Sequence, residues 1–164
     1  MRDAQKTVLA LYPNRNGVAY ALFASQTEPI DFGVGYIRPT DNTKTLKRIG
    51  KYIAHYGPDI IVTRNLDGLG RGRSRRIQKL IDMICREASS QGLGVRLYTR
   101  TQIKDTFQQF GAVTKYAISK KLIEWYPQLK GYSFQPRKRW MNENPNTAVF
   151  DAISLAIVHW YLEG

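Results

Sequence analysis

The densest positive charge in the chain lies between Asp67 and Lys79, where Arg71, Arg73, Arg75, Arg76 and Lys79 follow Gly68, Gly70 and Gly72 into the start of a helix at Ser74. Backbone without a Cβ can approach a phosphate closely, and a helix N-terminus adds oriented N–H donors. The stretch is neither a P-loop nor a dinucleotide fingerprint, because the Lys-Ser/Thr ending and the third glycine's spacing are both missing. A solvated loop is the plainer alternative. A second cluster, Lys130 to Trp140, interleaves Lys130, Arg137, Lys138 and Arg139 with Tyr132, Phe134 and Trp140. Cations mixed with aromatic rings suit backbone contact together with stacking on unpaired bases, although the rings would equally pin a long loop to a core. Both patterns describe recognition of a polyanion.

Other reactive groups are sparse. Cys85 is the single cysteine, on the apolar face of a helix, so it forms no intramolecular disulfide and no zinc framework and reads as a buried inert thiol. His159, toward the end of the last helix, reads as structural, and His55 as a surface residue. Lys plus Arg number 25 against 13 Asp plus Glu, a net charge of +12. Such a surplus favours a polyanionic partner through phosphate contacts and counterion release, and nucleic acid leads an acidic protein as that partner.

The 164 residues suit one domain, residues 1–164, with 43% hydrophobic and 23% charged residues. No run approaches a membrane span, and no apolar leader precedes the first strand, so an intracellular, cytoplasmic location away from membranes is expected. The positioning elements start with a hairpin from Lys6 to Phe23. Val8-Leu9-Ala10-Leu11-Tyr12 is an uninterrupted apolar run, hence a central strand buried on both faces, and Pro13-Asn14-Arg15-Asn16-Gly17 turns it into a second strand. Ile30 to Ile37 alternates as a third strand. A helix from Thr43 to Tyr56, capped by Asp41, Asn42 or Thr43, leads through Gly57-Pro58 to a strand at Asp59–Thr63 that should lie parallel to the first and beside it. A helix from about Ser74 to Gly92, a strand Val95–Tyr98, helices Thr101–Phe110 and from Thr114 to Pro127, an irregular stretch from Gln128 to Asn144 and a final helix started by Asn144-Pro145-Asn146 complete the order. The expected class is α/β, a mixed five-stranded sheet with the first three strands antiparallel and helices on both faces.

Four segments, in order, carry a family resemblance: Val8 to Ala21; Pro58-Asp59-Ile60-Ile61-Val62; Gln102-Ile103-Lys104 through Gly111, Lys115 and Ile118; and Phe150-Asp151-Ala152-Ile153-Ser154-Leu155-Ala156-Ile157-Val158-His159. Together they resemble the RuvC family of Holliday-junction resolvases, within the ribonuclease H-like superfamily. The resemblance implies branched DNA as the ligand, DNA in preference to RNA, a homodimer for which the helix from Arg73 to Ala88 would offer a surface, DNA contact at Lys115, Lys120 and Lys121, and two divalent cations held by four carboxylates. Two such ions require hard oxygen ligands with enough negative charge to hold them.

Carried over position by position, the four ligands fall on Tyr12, in Tyr12-Pro13-Asn14 where the family has Asp-Pro-Gly, on Arg64, and on Ala148 and Asp151 in the final helix. One carboxylate in four remains. An Arg64–Asp151 ion pair across the cleft is therefore expected, with no cofactor. The enzyme question stays open through a displaced trio, Asp67, Glu143 and Asp151, which would use Mg2+ or Mn2+ as an active resolvase. A protein-interaction scaffold on the same fold is the third alternative.

Overall fold

The computed structural model describes residues 6–70 and 74–163. Strands β1 (Val8–Asn14), β2 (Gly17–Ser25) and β3 (Glu28–Tyr36) form an antiparallel meander, and β4 (Ile60–Asn65) and β5 (Gly94–Thr99) add on parallel, in the sheet order β3-β2-β1-β4-β5. The expected mixed five-stranded sheet is present. Along β1, Val8, Ala10 and Tyr12 face one layer while Leu9 and Leu11 face the other, so the run is continuous because both sides are covered.

One layer holds α1 (Asn42–Tyr56) and α2 (Arg75–Ser90), packed on Leu9, Leu11 and Ile61. The opposite layer holds α3 (Arg100–Gln108), α4 (Lys115–Trp125) and α5 (Thr147–Glu163). Helix α5 is buried at every position from Thr147 to His159, as a helix apolar all round must be. Local signals set the boundaries. Asp41 Oδ1 accepts from the Lys44 N–H at 2.9 Å, Ser74 Oγ from Ile77 at 3.3 Å and Thr114 Oγ1 from Ala117 at 3.1 Å, each satisfying an orphan donor of a first turn. Gly57, at φ 56°, ends α1 in the left-handed conformation.

Several boundaries differ from expectation. Pro13 lies within β1, not in the turn, and pairs with Val18, leaving Arg15 and Asn16 as the loop. Proline has no N–H to donate, and β4 pairs with β1 only as far as Leu11↔Thr63, so nothing on that side misses the donor. Gly17 is required at this turn: its φ is 139°, and a Cβ there would stand 2.0 Å from the Gly35 carbonyl oxygen. Strand β4 extends through Arg64, β3 begins at Glu28 with a bulged register, α5 begins at Thr147, and a 3-10 helix, Pro127–Tyr132, occupies part of the stretch expected to be irregular.

The apolar stripe of α2, Ile77, Leu80, Ile81, Ile84 and Ala88, is spent on the chain's own core, so Arg75, Lys79, Asp82 and Arg86 are what the helix offers outward. Among the described residues no helix is long and apolar enough to cross a membrane.

Candidate functional site

The carboxyl ends of β1, β4 and β5 meet the start of α5 at one end of the sheet, the edge where open α/β sheets place their ligands. Tyr12 and Arg64 share the parity of Val8, Ala10, Ile60 and Val62 and so project to the α5 side. Their side chains do converge. The Arg64 guanidinium lies 4.2 Å from the Tyr12 ring centroid, and its Nη1 donates to the Pro13 carbonyl at 2.8 Å. A planar, weakly hydrated cation stacks well on an aromatic face, and here it also satisfies a carbonyl at the level where β4 no longer pairs with β1.

Arg64 therefore does not pair with Asp151 as expected. Asp151, on α5, is held instead by Lys115, the first residue of α4, whose Nζ donates to Asp151 Oδ2 at 3.2 Å. Arg100, the first residue of α3, adds a longer contact, Nη1 to Oδ1 at 3.8 Å. The same ammonium donates to Glu143 Oε1 at 3.2 Å and stands 5.9 Å from the Tyr12 ring centroid. Arg64 is committed to Tyr12 and Pro13, whereas Thr114 fixes the start of α4 and so brings Lys115 to the carboxylate.

Burial dominates the electrostatics. It pushes the Asp151 carboxyl above its ordinary value, with Lys115 and Arg100 opposing the rise. For Lys115 burial acts downward, but Asp151, Tyr12 and Glu143 outweigh it and hold the ammonium above its usual range. Burial likewise raises the Tyr12 phenol, which stays neutral.

Two cavities lined by both Tyr12 and Lys115 flank this cluster. One, of about 420 Å³, is lined by Tyr12, Asn14, Arg64, Lys115, Arg137 and Glu143 among others; the second, of about 220 Å³, by Tyr12, Arg64, Tyr98, Arg100 and Lys115. Every residue of the cluster reaches open space through one or the other except Asp151, which is 3% exposed.

As ligands for a pair of divalent cations these residues do not fit. Hard cations require several anionic oxygens; here Asp151 and Glu143 both bind one ammonium, and Arg64 and Arg100 add further positive charge. The displaced trio is not assembled either. Asp67 lies in the exposed loop after β4, and no group of three or more His, Cys, Asp or Glu that could hold a metal ion occurs among the described residues. Ala148 lines the larger cavity and contributes no donor.

The other candidate cations divide into fixed and free. Arg76 is pinned, donating to Asn42 Oδ1 at 3.1 Å and to the Asn14 carbonyl at 3.0 Å. Lys121 pairs with Glu124 at 3.2 Å, and Lys120 lies 5.5 Å from the Tyr116 ring centroid. Arg75, Lys79, Arg137 and Arg139 are exposed; Lys138 and Trp140 are exposed too, the last at 80%, with the Lys138 ammonium 5.6 Å from the Trp140 ring centroid. Arg71 and Arg73 lie outside the described residues. Sequence reasoning missed Arg100 and the placement of Lys115 inside the cluster. The signal for Arg100 was its position directly after a parallel strand.

Over 96% of its length the chain superposes on the structure of Thermus thermophilus RuvC, covering 95% of that chain with a TM-score of 0.68 at 13% sequence identity. The fold is that of RuvC. A structure of T. thermophilus RuvC in complex with a Holliday-junction substrate matches over 96% of this chain and 94% of that one, with a TM-score of 0.67 and 13% identity. The yeast mitochondrial Holliday-junction resolvase Ydc2 matches over 94% of this chain and 78% of its own, with a TM-score of 0.60 and 10% identity. No protein-family model matches the sequence, and neither does any curated protein.

Proposed function

We propose that this RuvC-fold chain binds branched or structured nucleic acid, DNA in preference to RNA, and that its cleft holds phosphate with fixed cations instead of cleaving it with metal ions. The observation that carries this reading is the Lys115 ammonium seated between Asp151 and Glu143 beside Tyr12, so that it meets two of the four positions, Tyr12 and Asp151, where the family resemblance calls for metal ligands. A protonated amine supplies one positive charge with three donors and offers water no Lewis acid. Arg64, Arg100 and Arg137 extend the positive lining to both cavities, and the net charge of +12 supplies the long-range attraction. A homodimer and an intracellular location belong to the same reading.

Incubation with four-way junctions tests it. Binding is expected with and without EDTA, with a log affinity that falls steeply against log salt, and no incision is expected in Mg2+ or Mn2+. Clean incision abolished by Asp151→Asn overturns the loss of nuclease chemistry. A wild-type protein that binds neither DNA nor RNA overturns the nucleic-acid reading and leaves the scaffold alternative standing.

A further inference from the structure

The exposed face of α1 carries a stripe of cations that the cleft does not use. Its residues are Lys44, Lys47, Arg48 and Lys51, spaced as i, i+3, i+4 and i+7, which places them along one side of the helix. The opposite side, with Thr45, Ile49 and Ile53, is buried. No carboxylate occurs between Asn42 and Tyr56, and none of the four cations makes an ion pair among the described residues. Like charges on successive turns repel, and a lysine in the first turn opposes the helix dipole, so the stripe works against the helix that carries it.

Neighbouring backbone shapes the surface around it. Arg38 and the half-exposed Tyr36 join the four cations around a hollow of about 300 Å³. The Arg48 side chain lies against β3 where Gly35 leaves room: a Cβ at Gly35 would stand 3.2 Å from Arg48 Nη1. The stripe also begins at the rim of the cleft. Asn42, at the start of α1, accepts from Arg76, which donates in turn to the carbonyl of Asn14, a residue lining the larger cavity. Thr40 ties the segment before α1 to the β1–β2 turn through the Arg15 carbonyl at 2.7 Å.

We infer that the α1 stripe is a second phosphate track, on which a double-stranded arm leaving the cleft lies. The inference rests on the cleft being a nucleic-acid site. Charge complementarity decides the occupant. From Lys44 to Lys51 a helix rises about 10 Å, which spans roughly three phosphates of one strand at ~3.4 Å of axial spacing.

The test is the triple variant Lys44→Ala, Lys47→Ala, Lys51→Ala, with Arg48 left in place because it packs on β3. Alanine is a better helix former than lysine, so the variant keeps its fold, which circular dichroism checks. On four-way junctions with long arms, the slope of log affinity against log salt is expected to become shallower by about 2 to 3. On junctions with arms cut back to a few base pairs it should match the wild type. An unchanged slope on long arms overturns the track, and so does an equal change on short ones. Loss of polyglutamate binding with DNA binding intact also overturns it and assigns the stripe to an acidic protein. Failure of the wild type to bind any junction defeats the cleft reading itself, a result distinct from all of these.

Discussion

Helix α5 buries an ionisable side chain near each end, and the two ends treat it differently. Near the start, Asp151 meets Lys115 and Arg100. Near the finish, His159 meets one neutral group, the Tyr98 hydroxyl, which lies 2.9 Å from its Nδ1. Burial is the largest influence on both, raising the Asp151 pKa and lowering that of His159, so each is pushed toward its neutral form. At the first end two cations resist the shift; at the second, Glu163 resists it and Arg96 adds to it, and these two charges pair with each other at 3.4 Å. The difference lies in what the cations are committed to: at the carboxyl ends of the parallel strands, where a ligand would sit, Lys115 and Arg100 face the buried carboxylate, whereas at the far end of the same helix Arg96 pairs with the exposed Glu163.

The largest expected effect comes from removing the lysine. In Lys115→Met the Asp151 side chain, 4% exposed, keeps only the 3.8 Å contact to Arg100. Stranding a buried carboxylate costs about 3 kcal/mol or more, measurable by urea unfolding at pH 7. The pH dependence follows from the direction of the shift. A carboxyl whose folded pKa lies above its unfolded value of 3.8 contributes stability that is fully present below that value and is lost as pH rises through the folded pKa. The variant should therefore recover part of its lost stability on acidification. A variant as stable as the wild type at pH 7 would mean that Lys115 is not what holds Asp151.

The opposite end should respond with the opposite sign. His159 has a folded pKa below the ordinary 6.5, so its contribution is complete above pH 6.5 and is lost as pH falls through the folded value. Thermal melts of the wild type between pH 8 and pH 5 should show acid destabilisation, and His159→Gln should flatten it, at the cost of some stability at pH 8. An identical acid limb in the variant would place the responsible proton elsewhere.

Much of the frame that produces this contrast was legible in the sequence. The apolar run of β1, the caps at Asp41, Ser74 and Thr114 and the stop at Gly57-Pro58 are local signals, and local chemistry enforced them. The convergence of Tyr12, Arg64 and the start of α5 followed from strand parity and the strand order. The pairing within the cluster was not legible. Lys115 looks like Lys120 and Lys121 in composition, and only the N-cap at Thr114, together with the packing of α4 on α5, brings its ammonium to a carboxylate 36 positions away. Arg64 is long enough to reach several partners, and the choice fell to a flat ring and an unpaired carbonyl, neither of which spacing reveals. Pro13 was misplaced for a related reason: a proline inside a central strand is tolerated only because β4 stops pairing two residues earlier.

The smallest expected effect is also the most discriminating. Replacing the carboxylate in Asp151→Asn does not mirror replacing the lysine, although both break the same ion pair. The Lys115 side chain is 32% exposed and keeps Glu143 at 3.2 Å, so it is left neither buried nor alone, and the amide removes the charge that burial disfavours. The expected cost at pH 7 is about 1 kcal/mol or less, and the acid recovery predicted for Lys115→Met should be absent from the double variant. Comparable losses from both single variants would show that the pair is symmetric, with Lys115 as dependent on Asp151 as Asp151 is on it. A large loss from Lys115→Met beside a small one from Asp151→Asn would identify the lysine as the member that makes the cluster possible.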